Sequence, residues 1–262
     1  MTVLQTVLLG VLQAAGEFLP VSSSAHLVLY SFFFGGAYQG ISFDVALHLA
    51  TLTAVIAYFW KDLLKLTQAG LTRPGTDDGK LFWYIGLATV PAAVLGYFAQ
   101  DAAEHAFRNP LMIAVMLVIF AALLMFADRY NSKKPNHKEI FTLGAMLLIG
   151  CAQALALAPG VSRSGITITA ALLLGYGRAK SAKVSFYLSI PIIAGAAVLK
   201  LRHIALADIN APLAAGFITA AVCGWLVIKF LMKYIQTRNF DIFVWYRWAL
   251  GAVIITLYFV KG

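Results

Sequence analysis

Two short polar stretches carry most of the chemistry this sequence could perform. The first, Glu17-Phe-Leu-Pro-Val-Ser-Ser-Ser-Ala-His26, places a carboxylate, three hydroxyls and an imidazole close together. The second, Ala158-Pro-Gly-Val-Ser-Arg-Ser-Gly-Ile-Thr-Ile-Thr169, centres a permanent cation, Arg163, between Ser162 and Ser164, with Thr167 and Thr169 beyond. A guanidinium is a planar fork suited to phosphate, and Gly160 and Gly165 permit close backbone approach. A helix expected over 166–176 would begin just after this stretch and aim free N–H groups and a positive dipole end at an anion. Glu17 could hold a divalent cation or orient a nucleophile. His26 could serve as general base, nucleophile or acid toward a leaving group, and Ser22, Ser23 and Ser24 are candidate nucleophiles. Each residue also has a plainer reading. Serines near a helix start are most often caps, a lone histidine is structural about half the time, and Arg163 could pair with Glu17 only to lock the fold. The set of Glu, Ser and His opposite Arg is far more specific than any member.

The surroundings make these residues costly. The chain has 262 residues, 61% hydrophobic and 12% charged, with a mean hydropathy of +0.83, a balance foreign to soluble domains. Apolar runs near 43–60, 81–99, 110–127, 184–200, 211–230 and 243–260 each have about the 17 to 20 residues that the hydrocarbon thickness requires. Residues 1–34 and 140–177 are interrupted by Pro, Gly and Ser, and the flanks 26–34 and 166–176 are too short to cross. They read as re-entrant hairpins, whose irregular backbone is tolerated only inside protein or beside a wet cavity. The expected class is therefore an all-α polytopic membrane protein with six full transmembrane helices and two re-entrant hairpins. No cleavable targeting segment is expected from Met1 to Gly16, which lacks a positive n-region. Cys151 and Cys223 lie in apolar runs, where buried packing is expected rather than a disulfide.

The net charge of +9 admits nucleic acid as a partner, but in a membrane chain it fits basic cytoplasmic loops, and no nucleic acid is expected. Lys61, Lys65, Arg73 and Lys80 form one basic group and Arg129, Lys133, Lys134 and Lys138 a second. Arg178, Lys180 and Lys183 form a third, and Lys229, Lys233 and Arg238 a fourth. Six spans put all four groups on one face and leave Arg108, Lys200, Arg202 and Lys261 on the other, which predicts both termini outside. A shift of 140 residues matches Gly10 with Gly150, Gln13 with Gln153, Ala14 with Ala154, Val21 with Val161, Ser22 with Ser162 and Ser24 with Ser164. Each half is then a broken hairpin and three spans, repeat one about 1–127 and repeat two about 140–262, within a single integral membrane domain. An odd number of crossings inverts the second copy, so the broken tips should meet near the midplane. Other polar residues are weaker candidates. Asp44 and His48 could line the mouth of a site, Gln13 and Gln153 suit helix–helix hydrogen bonds, and Asp101, Glu104 and His105 read as a solvated loop.

The two tips resemble the signature motifs of the undecaprenyl-diphosphate phosphatase family of the bacitracin-resistance type. "EFLPVSSSAHL" is similar to its first motif and "PGVSRSGITIT" to its second, with "AQALALAPG" fitting the approach. The resemblance extends over the whole chain in length, span number and repeat plan. It implies hydrolysis of the terminal phosphate of C55 polyprenyl diphosphate, a lipid released by cell-wall polymerisation. It also implies a divalent cation, Mg²⁺ or Ca²⁺, an inner-membrane location and a site open to the outer face. Carried over by position, it puts catalytic roles on Glu17, Ser23, His26 and Arg163, and phosphate binding on Ser22, Ser162, Arg163, Ser164 and Thr167. The metal would fall on Glu17 with Gln13. The family usually has Glu where this chain has Gln13, and Thr and Gly where it has Gly16 and Ala25. An amide keeps an oxygen ligand but loses a charge, so metal affinity or pH dependence should differ. The nucleophile stays open among Ser23, His26 and water. The expected partners are the lipid substrate and the membrane, and the chain could form a homodimer. The competing reading is a lipid flippase or transporter, because inverted repeats with broken helices also mark transporters. A third, a phosphoprenyl-lipid scaffold, rests on fold analogy alone.

Overall fold

The computed structural model describes residues 2–23, 25, 26, 41–106, 109–200 and 210–261. Ser24, the stretch 27–34 of the first hairpin, Arg108 and Arg202 lie outside these, as do the side chains of Asp101, Glu104, His105 and Lys261. All regular structure among the described residues is helical. Helix α1 spans Val3–Phe18, α2 Ile41–Thr72, α3 Asp77–Ala106, α4 Pro110–Ser132 and α5 Leu143–Ala154. Helix α6 spans Arg163–Leu173, α7 Arg178–Lys200, α8 Ala211–Tyr234 and α9 Asp241–Lys261. The six helices α2, α3, α4, α7, α8 and α9 are long and apolar enough to cross a bilayer, and they fall on the six expected runs. The chain is a multi-pass membrane protein.

Local chemistry explains where the short helices stop. Thr2 caps α1 through a capping box with Gln5, and Leu19 leaves the helix in an extended conformation (φ −72°, ψ 148°). Pro20 follows, and a proline disfavours helical backbone at the residue before it. Thr142 caps α5, which tightens into a 3-10 turn at Leu155–Leu157 before Ala158 turns extended ahead of Pro159. With 16 residues α1 reaches only about 24 Å, short of a full crossing. Helix α6 begins at Arg163, three residues earlier than the sequence suggested. The reason is Ser162, whose hydroxyl accepts the Gly165 N–H at 3.1 Å and caps the helix there. Arg163 therefore sits in the first helical turn and not in the loop.

Bare backbones let the short helices lie against long ones, α1 on α8 and α5 on α3. A Cβ at Gly10 would stand 2.7 Å from the Gly216 carbonyl oxygen, and one at Gly150 would run into the Ala88 carbonyl. In lipid such close van der Waals contact replaces hydrophobic burial as the main source of helix association. Under the tips lies a packed cluster that includes Phe18, Phe59, Phe186, Tyr187 and Phe240, with Phe18 and Phe186 edge to face at 5.6 Å. The end of the bundle carrying the basic groups is laced with ion pairs: Lys65–Asp78 at 2.8 Å, Lys183–Asp62 at 2.7 Å and Lys180–Glu139 at 3.0 Å. A cleft of ≈ 240 Å³ opens among these charges, and no residue of the broken tips lines it. Nearby, the buried Asp128 accepts from Arg178 Nε at 2.5 Å and from the Phe240 N–H at 3.1 Å, tying α4, α7 and the start of α9. Both cysteines are free, as expected, but Cys151 is exposed, because its side of α5 is not covered by another helix.

The α5–α3 crossing gives a paired test. Gly150→Val should lower the thermal-unfolding midpoint in detergent, reflecting overpacking of about 2 kcal/mol. Gly144→Val, on the same helix with open space around it, should leave the midpoint unchanged. Equal midpoints for the two variants would show that the contact is not tight.

Candidate active site at the two broken tips

The two breaks close on one another by backbone groups first. Ser22 and Ser162, matched by the 140-residue shift, are the two non-glycine residues with positive φ among the described residues, at 76° and 73°. Left-handed backbone is costly for a side-chain-bearing residue and persists only where the surroundings impose it. Each hydroxyl then caps the segment that follows. Ser22 Oγ accepts from the Ala25 N–H at 3.4 Å as Ser162 Oγ does from Gly165. Ser22 Oγ also accepts from the Gly160 N–H at 3.2 Å, joining tip to tip. Gly160 has φ +97°, and a Cβ there would stand 2.6 Å from the Ile113 carbonyl oxygen, so glycine is required.

Arg247 of α9 completes the closure. It is fully buried. Its Nη1 donates to the Pro20 carbonyl at 3.3 Å, and its Nη2 donates to the carbonyls of Gly160 at 2.8 Å and Val161 at 3.1 Å. One side chain thus holds backbone oxygens that both breaks set free. Ser164 adds a further link, its hydroxyl donating to the Leu19 carbonyl at 3.0 Å.

On this frame the reactive side chains converge. Glu17, in the last turn of α1, is buried with its Oε1 2.6 Å from Arg163 Nη2. Its Oε2 accepts from Ser23 Oγ at 2.9 Å and Gln13 Nε2 at 3.2 Å, and His48 Nε2 lies 3.7 Å away. Gly16 makes the Ser23 contact possible, because a Cβ there would come within 2.6 Å of Ser23 Cα. Arg163 Nη1 donates to the Ser185 carbonyl of α7 at 3.0 Å. The hydroxyls of Thr167 and Ser185 lie 2.7 Å apart. Both Glu17 and Arg163 are thus in direct contact, as the plainer reading allowed, and a hydroxyl shares the same carboxylate.

His26 is placed differently. Its Nδ1 lies 2.7 Å from the Ser22 carbonyl and its Nε2 2.5 Å from the Tyr246 hydroxyl, so both nitrogens point away from Glu17 and Ser23. Gln13 and Gln153 make no helix–helix hydrogen bond. Gln13 bonds within α1, its Oε1 has no partner, and neither amide atom of Gln153 has one although the residue is buried. Gln153 also lacks the bond that Gln13 makes to Glu17, because the residue matched to Glu17 by the shift is Leu157, which offers no acceptor. Sequence reasoning missed Arg247, Ser185 and Tyr246. Arg247 carried a usable signal, a cation inside an apolar span. Tyr246 did not, since it sits beside Trp245 and Trp248 in what resembles an interfacial aromatic belt.

A buried carboxylate held against a guanidinium and a hydroxyl, where two broken helices meet inside a multi-pass bundle, makes this the candidate site, since charges among apolar helices mark a partner or pathway. The particular family follows from comparison. Residues 6–253 match the family model described as bacitracin resistance protein BacA, and the chain belongs to that family. It is similar to the undecaprenyl-diphosphatase of Elusimicrobium minutum, 57% identical over 261 residues and the full length of both chains. It is 47% identical to the undecaprenyl-diphosphatase of Moorella thermoacetica, again over both full lengths. It is also 48% identical to that of Pelotomaculum thermopropionicum over 98% of this chain and 97% of the relative.

Arg247→Met should cost about 3 kcal/mol, because it leaves three tip carbonyls without their donor. The apparent melting temperature in detergent should fall accordingly, with Arg247→Lys recovering part of the loss. A methionine variant as stable as the parent would contradict the clamp.

Proposed function

We propose that the protein is an undecaprenyl-diphosphate phosphatase, hydrolysing C55 polyprenyl diphosphate to the monophosphate and inorganic phosphate and so recycling the lipid carrier of cell-wall synthesis. The observation that carries this reading is the Glu17 carboxylate, which accepts from the Ser23 hydroxyl at 2.9 Å while its other oxygen meets Arg163 at 2.6 Å. A base, a hydroxyl and a phosphate-binding fork stand within one contact shell.

The chemistry asks mainly for positioning and charge neutralisation, because a diphosphate carries its own leaving group. An entering terminal phosphate exchanges with Glu17 at Arg163 Nη2, while Nη1 stays on the Ser185 carbonyl and keeps the fork oriented. The Oε2 atom of Glu17, already the acceptor of the Ser23 hydroxyl, takes its proton. Ser23 Oγ attacks the terminal phosphorus, the bond to the bridging oxygen breaks, and the prenyl monophosphate departs. Water then attacks the phosphoserine phosphorus, the Ser23 Oγ–P bond breaks, inorganic phosphate leaves and Glu17 returns its proton to Ser23 Oγ. The Ser23 route is preferred over attack by His26 because Ser23 Oγ already donates to the Glu17 carboxylate, which leaves His26 to take the proton of the water that later attacks the phosphoserine. Ser162 and Ser22 shape the two tips by capping, Ser164 binds backbone, and Thr167 faces Ser185, so their part in phosphate binding is to hold Arg163 and the α6 N-terminus in place.

A divalent cation, Mg²⁺ or Ca²⁺, fits the donor set when it is shared with the substrate. Among the described residues no three His, Cys, Asp or Glu side chains cluster to hold a metal alone. Glu17 and the unpartnered Gln13 Oε1 would hold it together with diphosphate oxygens, as suits a hard cation that keeps few protein ligands. When bound it would supply neutralisation of phosphate charge.

The inverted-repeat plan is supported by the shared φ and capping of Ser22 and Ser162 and by the close glycine contacts of α1 and α5. The four basic groups support a cytoplasmic position for the ion-paired end, with both termini and the site mouth toward the outer side of the inner (plasma) membrane. The flippase reading loses ground, because the relatives carry hydrolase names and the tips hold a hydroxyl against a base.

Purified wild type should release phosphate from C55 polyprenyl diphosphate in detergent with Mg²⁺ or Ca²⁺. Glu17→Ala, Ser23→Ala and Arg163→Ala should each lose about 10²-fold or more. A folded wild type that releases none with either cation would overturn the assignment. Gln13→Glu should tighten the cation requirement, lowering half-maximal Mg²⁺ about tenfold by adding a second carboxylate; an unchanged requirement would remove position 13 from the cation site.

A further inference from the structure

His26 and Tyr246 form a pair set apart from the Glu17 cluster, at the margin of the site. Tyr246 is on α9 next to Arg247 but on the uncovered side of the helix, 45% exposed. Its ring lies nearly parallel to that of His26, with centroids 5.7 Å apart and planes within 9°, and the two meet edge to edge. The hydrogen bonds at the two nitrogens determine the state of the ring. The Ser22 carbonyl, 2.7 Å from Nδ1, can only accept, so Nδ1 carries a proton. In the neutral ring Nε2 is then an acceptor, and the Tyr246 hydroxyl at 2.5 Å is its donor.

We propose that Tyr246 is a positioning residue for His26. It orients the imidazole, holds it in the Nδ1–H tautomer and caps Nε2 until a diphosphate head group arrives. A phosphate oxygen is a stronger acceptor than imidazole and can draw the tyrosine hydroxyl to itself, which leaves Nε2 free beside the head group. The arrangement would meet a head group arriving past Tyr246, the more exposed member of the pair. This inference deepens the phosphatase reading and rests on it for its kinetic consequence, while the pairing itself can be tested without turnover.

The first measurement is the rate at which diethyl pyrocarbonate modifies His26 in the detergent-solubilised protein, followed by peptide mass spectrometry. Tyr246→Phe keeps the ring and removes the donor, so His26 should react several-fold faster than in wild type. An unchanged rate would overturn the proposal. The second is steady-state phosphate release from C55 polyprenyl diphosphate. Tyr246→Phe should lower kcat about tenfold, and in a His26→Ala background it should change nothing further, because the tyrosine acts through the histidine. Equal losses in both backgrounds would overturn the proposal. Were the wild type inactive, the phosphatase reading would fall, and the modification rate would still decide for or against the His26–Tyr246 pair.

Discussion

The buried guanidinium of Arg247 is the interaction on which the site depends. Breaking two helices inside an apolar bundle frees buried backbone carbonyls, and each such group is expensive unless it finds a donor. Arg247 places its donors on Pro20 of the first break and on Gly160 and Val161 of the second. A permanent cation is itself costly there, so neither feature is stable without the other. The carbonyls solvate the charge, and the charge joins the tips. The cross-tip bond from Gly160 to Ser22 and the left-handed backbone at both serines follow from that closure.

With the tips fixed, the reactive side chains have little freedom. Glu17 and Arg163 come from elements 146 residues apart and meet at 2.6 Å, each reducing the desolvation cost of the other. In the proposed reaction an anion replaces Glu17 on the guanidinium, while Glu17 keeps the Ser23 hydroxyl as its donor. Ser23 is kept at that base by the absence of a side chain at Gly16. Catalytic strength would then come from placement and preorganised charge, which suits a reaction dominated by neutralising phosphate.

Much of this was legible in the sequence because a bilayer imposes strict rules. Span lengths and proline-bearing breaks located every long helix and both tips, and the cost of charge in lipid singled out Glu17 and Arg163. What escaped depends on three-dimensional closure. Arg247 fell in an unbroken span, where hydropathy tolerates one cation and spacing says nothing of its carbonyl partners. The start of α6 was misplaced because capping by Ser162 requires a left-handed serine, which no propensity favours. The orientation of His26 was invisible, since its partner Tyr246 lies 220 residues away and resembles an interfacial aromatic. Cys151 was expected inside because an apolar run in a short helix does not reveal which side faces lipid.

The central claim is that Glu17 and Arg163, one from each tip, act as a single unit on the diphosphate. A double-mutant cycle on kcat/KM with Glu17→Gln and Arg163→Gln tests it most directly. If the two form one unit, the double variant should be no worse than the worse single variant. Losses that multiply, as for independent groups, would contradict the account.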